Sequence, residues 1–256
     1  ISNPTIIGIT GSCGKTTTRV WIENILSKHL NTCASIKNFN TMLSLSMCLS
    51  MLNYSTQVGV FELGTNSTGE ISELSRYLKP NIGIITNIYE SHIGMFNSVE
   101  ALANEKVSII NGIKSGGYLI YDGDSQFKNL IIQRCIDNNI TPISIGFNDI
   151  CNYKINYNND KINLNTPKTV LEYTIGAVGK HYAYISAFII AVIDILGLDI
   201  NDYIEYFKRL MPIQGRGLYK QYSCNNKRFT VIDESYNASP SAVLATLELL
   251  RNIKNR

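Results

Sequence analysis

The residue types that bind phosphate occur together near the start of the chain, in the segment Gly11-Ser12-Cys13-Gly14-Lys15-Thr16-Thr17. An apolar run over 5–9, typical of a buried strand, precedes the segment, and apolar residues at helical spacing follow over 15–30. Glycines let backbone N–H groups turn toward an anion, and a helix N-terminus adds a positive field. A lysine can reach terminal phosphates, and a hydroxyl can ligate Mg²⁺. The segment therefore predicts a phosphate site, with a plain strand-to-helix turn as the alternative.

The spacing of this loop differs from the general P-loop pattern G-x-x-x-x-G-K-[ST]. In that pattern the first glycine would fall on Ile9, so the loop here is shorter and begins at Gly11.

Three further side chains are candidates for phosphate chemistry because each follows a predicted strand or a glycine-rich turn. Glu62 ends the apolar run 58–61, where a carboxylate can ligate Mg²⁺, although it could also cap a surface turn. His92 follows the run 81–88 and could bind metal or orient a phosphate, or be an ordinary loop histidine. Arg216, between Gly215 and Gly217, is a candidate for contacting phosphate from a domain edge.

Composition excludes several classes of protein. The 256 residues are 45% apolar, carry a net charge of +3 and contain no long basic run, which argues against nucleic-acid binding. Six scattered cysteines without a C-x-x-C pair suit reduced thiols in the cytoplasm. The longest apolar stretch, 183–196, is too short to span a bilayer, and no signal-peptide pattern is present, so no membrane insertion is expected.

Strand-like and helical patterns alternate over the first 150 residues, which predicts an α/β fold with a P-loop type, mostly parallel sheet flanked by helices. Ligand sites in such sheets lie at the carboxyl ends of the strands. Short alternating stretches over 151–177 predict a small antiparallel sheet, and helices are expected at 181–196 and 199–210.

A domain boundary is expected near residue 214, giving a first domain over 1–214 and a second over 215–256. The second part contains two strand-like runs, at 218–223 and 228–234, and a helical pattern at 239–253. Two strands and one helix are too few to bury a core. We therefore expect the beginning of a truncated, Rossmann-like domain.

Taken together, these motifs resemble the Mur ligase family of ATP-dependent amide-forming enzymes of peptidoglycan synthesis. The resemblance runs over nearly the whole chain, and its order and spacing are specific. It is carried by segments 10–17, 38–41, 62–66, 69–71, 86–92 and 233–240, together with Lys106 and Gly215-Arg216. It is greatest to the member that adds D-alanyl-D-alanine to a UDP-N-acetylmuramoyl-tripeptide.

The resemblance implies roles for residues that spacing alone does not assign. Lys15, Thr16 and the other loop residues would hold ATP. Thr16 and Glu62 would ligate one Mg²⁺, and His92 would help to bind a second. Lys106 would match a carbamylated lysine at the metal site. The implied catalytic residues are Lys15, His92, Lys106 and Arg216, with Asn40 on phosphate, Arg216 on the γ-phosphate, and Asp233 and Glu234 near the ribose.

The implied activity is that of an ATP-dependent acid–amino acid ligase with ATP and Mg²⁺ as cofactors, acting in the cytoplasm as a monomer. Its substrates would be the UDP-N-acetylmuramoyl-tripeptide and D-alanyl-D-alanine, joined through an acyl phosphate. We expect this chain alone to be inactive, because it lacks counterparts of an N-terminal UDP-sugar domain and most of a C-terminal domain.

The chain departs from the family pattern in the segment 179–185. The family usually has Gly-Arg-His-Asn-x-x-Asn here. This chain has Tyr182 and Ile185 at the two asparagine positions, which removes the usual amide contact to adenine. Glu234 stands where a second aspartate is usual. Two alternatives remain open: a relative acting on another acid, such as a folylpolyglutamate synthetase, and a degenerate nucleotide-binding module without catalysis.

Overall fold

A nine-stranded sheet dominates the computed structural model, which describes residues 3–89, 96–158, 161–224 and 227–252. Its strands are β1 (Thr5–Thr10), β2 (Thr32–Ala34), β3 (Val58–Glu62), β4 (Ile82–Ile85), β5 (Tyr118–Asp122), β6 (Thr141–Gly146), β7 (Tyr153–Asn158), β8 (Lys161–Asn165) and β9 (Val170–Thr174). The helices are α1 (Lys15–Leu26), α2 (Met42–Leu49), α3 (Glu70–Leu78), α4 (Val99–Val107), α5 (Lys128–Asp137), α6 (Lys180–Ile195) and α7 (Pro240–Asn252).

The order of strands is β2-β3-β1-β4-β5-β6-β7-β8-β9, with parallel pairing from β2 through β7. The carboxyl ends of β3, β1 and β4 therefore lie side by side at one edge of the sheet, where parallel α/β sheets bind ligands. The predicted α/β class with a mostly parallel sheet is confirmed.

Helices cover both faces of the sheet, which explains why its central strands are apolar almost throughout. Alternate residues of β3 point to opposite faces: Val60 packs in a core with α1 and α6, whereas Phe61 packs in a second core with α3, α4 and α5. Both side chains are fully buried.

The antiparallel strands predicted between 151 and 177 are present, and they continue the main sheet. β7 pairs parallel with β6, and β8 and β9 follow in antiparallel order. The single helix predicted over 199–210 is wrong: the segment forms two 3₁₀ helices, Ile200–Asp202 and Ile204–Arg209. The interruption falls at Tyr203, whose φ of −116° departs from the usual helical value of about −63° and whose ring is buried.

The last described residues form a two-stranded antiparallel sheet, β10 (Leu218–Cys224) and β11 (Lys227–Asp233), followed by α7. Apolar side chains on these elements are exposed, among them Phe229, Val231, Leu244 and Leu247. An exposed apolar face of this size is typical of a surface that packs against a further layer. Among the described helices, none has the length and apolar character needed to cross a membrane.

Candidate active site

The glycine loop joins β1 to α1 and is held in place by the end of β4. The Asn87 side chain accepts from the Cys13 N–H at 2.9 Å and donates to the Cys13 carbonyl at 3.1 Å. The Thr86 hydroxyl donates to the same carbonyl at 2.6 Å. The Ser12 N–H donates to the Asn87 carbonyl at 3.0 Å. Thr86 and Asn87 therefore fix the loop peptides, a role that neither spacing nor resemblance had assigned to them.

Two glycines in this loop adopt conformations that other residues rarely take. Gly14 has a φ of 82° at the N-cap of α1, and Gly11 has a φ of +140°. A Cβ built on Gly11 would lie 2.0 Å from the Thr86 Oγ1, so Gly11 also permits the close approach of the loop to β4. The loop thus presents backbone rather than side chains next to the N-terminus of α1.

We expect Gly11→Ala to displace the loop and abolish tight binding of nucleotide. The methyl group collides with Thr86 and the residue is also strained by its positive φ, a penalty of about 1–3 kcal/mol. Gly116→Ala is the matched control, because its φ of +77° imposes similar strain while its Cβ would meet nothing within 4 Å. Titration of ATP into both variants checks the prediction. Equal affinities would show that close approach at Gly11 is unimportant.

Lys15 folds back across the loop that precedes it. Its Nζ donates to the Gly11 carbonyl at 2.7 Å and to the Ser12 carbonyl at 3.3 Å. Desolvation lowers the pKa of Lys15, the Glu62 carboxylate opposes that shift, and Arg216 adds to it through charge repulsion. The ammonium therefore lies within electrostatic reach of both Glu62 and Arg216.

A buried carboxylate faces the first turn of α1. Glu62, at the end of β3, accepts from the Thr16 hydroxyl at 3.1 Å through Oε2 and from the Arg19 Nε at 2.9 Å through Oε1. The side chains of Glu62 and Arg19 are 1% and 7% exposed, so the pair is shielded from water. Arg19 also pairs with Glu23 at 3.0 Å. Sequence reasoning missed Arg19, because its burial depends on the pairing of β3 with β1, which brings Glu62 to it.

The oxygen atoms of Thr16 and Glu62 fit Mg²⁺, which prefers hard oxygen ligands and commonly takes one or two protein oxygens plus substrate phosphates. Within the ranges that the structure describes, no group of three His, Cys, Asp or Glu side chains could hold a metal by itself. A cation at Thr16 and Glu62 would therefore need water molecules or phosphate oxygens to complete its shell. His92, the predicted second metal residue, lies outside the described residues.

Lys106 is buried in α4 close to the phosphate loop, with 3% of its surface exposed. Desolvation, reinforced by the charge of Lys15, lowers the pKa of Lys106 to about 7. Its neighbour Glu105 accepts from the N–H groups of Gly69 at 2.6 Å and Ile71 at 2.8 Å, which fixes α4 against the start of α3. Near neutral pH a substantial fraction of Lys106 is therefore an uncharged, nucleophilic amine.

The lowered pKa of Lys106 predicts a pH-dependent contribution to stability. Between pH 7 and about 10 the unfolded chain keeps the lysine proton while the folded protein has lost it, so the free energy of unfolding should rise with pH. Lys106→Met should remove that contribution. Urea denaturation of wild type and variant at pH 6, 7.5 and 9 checks this. A difference between the two proteins that stays constant with pH would contradict it.

Asn40 lies beside the segment that follows β3. The Gly64 N–H donates to the Asn40 carbonyl at 3.0 Å, and a Cβ on Gly64 would come within 2.5 Å of the Asn40 Cγ. Because Gly64 has no side chain, Asn40 can lie next to the strand end that carries Glu62. Its contact with phosphate stays a prediction.

The linker, residues 211–217, and the start of the second part supply the remaining predicted residues. The Arg216 guanidinium lies 3.9 Å from the centroid of the Tyr236 ring, and its charge helps to lower the pKa of Lys15. Asp233 accepts from the Gly215 N–H at 3.1 Å and from the Ser235 N–H at 3.1 Å. Glu234 accepts from the Thr246 hydroxyl at 2.9 Å. Both carboxylates thus have structural partners here, and their contact with ribose stays a prediction.

The other loop residues contact neighbouring parts of the protein. Thr17 is buried beneath the loop. The Ser12 hydroxyl donates to the Tyr89 carbonyl at 2.9 Å. The Cys13 Sγ lies 3.2 Å from the Ser239 hydroxyl, so the phosphate loop touches the residue that precedes α7. Lys15, Thr16, Glu62, Lys106 and Arg216 are therefore brought to one edge of the sheet.

Comparison with known proteins places this arrangement in a family. The model of the Mur ligase middle domain matches residues 9–192. The UDP-N-acetylmuramoyl-tripeptide--D-alanyl-D-alanine ligase of Rickettsia prowazekii is 34% identical over 258 residues, covering 98% of this chain and 57% of that protein. A crystal structure of MurF from Acinetobacter baumannii is 25% identical with a TM-score of 0.88, covering 98% of this chain and 55% of that one.

A third match supports the fold alone. MurF ligase from Thermotoga maritima, solved in complex with ADP, is 21% identical with a TM-score of 0.82, and the match covers 99% of this chain and 58% of that one. The chain spans little more than half the length of these relatives. Because the family model matches most of its residues and the phosphate loop lies where that model begins, the chain belongs to the Mur ligase family.

Proposed function

We propose that this chain is the ATP-binding part of an ATP-dependent amide ligase that adds D-alanyl-D-alanine to a UDP-N-acetylmuramoyl-tripeptide. The observation that carries the proposal is one cluster of groups: the glycine loop with Lys15, the Thr16–Glu62 pair, and the buried Lys106. A module that only bound nucleotide would not need an uncharged buried lysine beside the phosphate site. The similarity to ligases of this name supports the choice of substrates.

ATP would lie with its phosphates on the loop 11–17, where backbone N–H groups and the start of α1 favour anions. Lys15 would leave the Gly11 carbonyl and pair with the terminal phosphates. Thr16 and Glu62 would hold Mg²⁺, which screens the negative charge of the phosphates from an approaching carboxylate.

The proposed reaction begins with transfer of the γ-phosphoryl group to the terminal carboxylate of the tripeptide, which gives an acyl phosphate and ADP. The amine of D-alanyl-D-alanine then attacks the acyl carbon, a tetrahedral intermediate forms, and phosphate leaves with the electrons of the broken C–O bond. This chain contributes positioning and charge stabilisation, through Lys15 at the phosphates and Arg216 at the γ-phosphate.

Lys106 is suited to carbamylation, because only an uncharged amine attacks CO₂ and its lowered pKa provides that form near neutral pH. Carbamylation would turn a buried cation into an anion next to Lys15, which would remove the repulsion between the two lysines. The resulting carbamate would provide oxygen atoms for a second Mg²⁺, together with His92.

Two domains are proposed, over 1–214 and 215–256. The exposed apolar side chains of β10, β11 and α7 support this division, since they lie outside the two cores that cover the main sheet. We propose that the ligase acts as a monomer in the cytoplasm and that this chain does not turn over alone.

The test is release of phosphate by the full-length protein supplied with ATP, Mg²⁺, the tripeptide nucleotide and D-alanyl-D-alanine. Release that requires both peptide substrates supports the proposal. Release with a folate and glutamate instead would identify a folylpolyglutamate synthetase. Binding of ATP without release in either mixture would identify a nucleotide-binding module.

A further inference from the structure

Two stacked aromatic side chains join the phosphate-binding half of the site to the linker that carries Arg216. Trp21 lies in α1, one helical turn after Thr17, and Tyr182 lies in the first turn of α6. Their rings are 5.5 Å apart at 25° to one another, and both residues are almost fully buried. We call Trp21 and Tyr182 the linker-anchoring pair.

Each member of the pair directs its polar atom at the backbone of the linker. The Trp21 Nε1 donates to the Met211 carbonyl at 3.0 Å, and the Tyr182 hydroxyl donates to the Arg216 carbonyl at 3.1 Å. Burial raises the pKa of Tyr182, so its hydroxyl remains a donor throughout the physiological range. The linker is therefore fixed at two points, one on each side of 212–215.

Gly217 shows how closely the linker follows this hydroxyl. A Cβ on Gly217 would lie 2.2 Å from the Tyr182 Oη, and the residue has a φ of +89°. Only a residue without a side chain allows the chain to pass so near the tyrosine. The turn after Arg216 is thus fitted to Tyr182.

Tyr182 stands where the family pattern has an asparagine. Here the tyrosine is turned into the protein and bonded to the linker, so this position contacts the segment that supplies an arginine.

We propose that Tyr182 is a positioning residue that, supported by Trp21, holds the Arg216 backbone so that its guanidinium can reach the γ-phosphate of ATP. This inference rests on the proposed function, in which Arg216 contacts that phosphate. The hydrogen bond fixes the peptide from which the arginine side chain extends, and this reduces the conformational entropy lost when the guanidinium binds.

The test compares the affinities of the full-length protein for ATP and ADP, because only ATP carries the γ-phosphate. Tyr182→Phe keeps the stacked ring and removes the hydroxyl. It should weaken ATP binding by about threefold to tenfold, the range for loss of one hydrogen bond, and leave ADP binding within about twofold. Isothermal titration calorimetry at fixed Mg²⁺ gives both constants.

Tyr173→Phe is the matched control. Tyr173 is also buried, and its hydroxyl lies 2.8 Å from the Ser186 hydroxyl rather than bonding the backbone of the linker. This variant loses a comparable buried hydrogen bond and a comparable amount of stability, yet the ratio of ATP to ADP affinity should not change. If it changed as much as in Tyr182→Phe, the effect would be one of general stability and the inference would be wrong.

Arg216→Ala provides the second comparison. It should lower affinity for ATP and not for ADP, and adding Tyr182→Phe to it should produce no further loss of ATP affinity. A full additional loss in the double variant would overturn the inference, because Tyr182 would then act without Arg216. An unchanged ATP affinity in Tyr182→Phe would also overturn it. Failure of the wild-type protein to bind ATP would instead overturn the proposed function.

Discussion

Lys15→Met in the full-length ligase should reduce phosphate release by about 10²- to 10³-fold, the usual effect of removing one preorganised donor to developing phosphate charge. The ammonium is held in the loop by two carbonyl groups, and in the proposed reaction it would leave them to pair with the terminal phosphates. Methionine keeps a flexible, unbranched side chain, one heavy atom shorter than lysine, and removes the charge together with the hydrogen-bond donors. Steady-state kinetics with saturating tripeptide nucleotide and D-alanyl-D-alanine measures the loss.

The same substitution should leave stability unchanged or slightly increased. Desolvation disfavours the charge of Lys15, and Arg216 repels it. Loss of activity without a lower thermal midpoint would therefore separate catalysis from folding. Lys161→Met is the control, because Lys161 is exposed and pairs only at the surface with Glu172, so activity should stay within about twofold. Retention of more than a tenth of the activity by Lys15→Met would contradict the assigned role.

Glu62→Gln should lower the free energy of unfolding by about 3 kcal/mol, because it leaves the Arg19 charge buried without its carboxylate. The neutral amide can accept one hydrogen bond from Arg19 but cannot balance its charge. The contact of Arg19 with Glu23 should keep the loss near the lower end of the range for broken buried pairs. Urea denaturation at neutral pH measures the change.

Glu23→Gln is a matched control on the same arginine. The Glu23 side chain is 38% exposed, so water replaces the lost contact and the cost should be about 0.5 kcal/mol. Equal losses in the two variants would show that burial of Glu62 does not decide the energy. Glu62→Gln should also raise the Mg²⁺ concentration needed for half-maximal activity, whereas Glu23→Gln should not.

Much of the site could be predicted from the order of motifs along the chain. The glycine loop, the buried strand before it and the helix after it are local features, and each formed where its apolar spacing indicated. Glu62 at the end of a strand was also predictable, because parallel strands end at one edge of the sheet. The role of Lys106 could be inferred only from the family resemblance, since a lysine within a helix is usually solvated.

Other parts of the site depend on which strands are neighbours. Arg19 looked like an ordinary surface charge on α1, and it is buried because β3 pairs with β1 in a register that places Glu62 beside Ile9. Asn87 holds the phosphate loop only because β4 lies on the other side of β1. Neither neighbour relation can be read from spacing.

The presence and place of the glycine loop could be predicted from the sequence alone, because its glycines, lysine and threonine stand within a few residues of one another between a strand and a helix. Tertiary structure decided which residues hold that loop and the charge state of Lys106 beside it. Desolvation and nearby charge lowered the pKa of Lys106, and packing of α6 against α1 placed Tyr182 under the linker of Arg216. The physical reason is that desolvation, charge repulsion and hydrogen bonds across elements depend on distances in space between residues far apart in the chain.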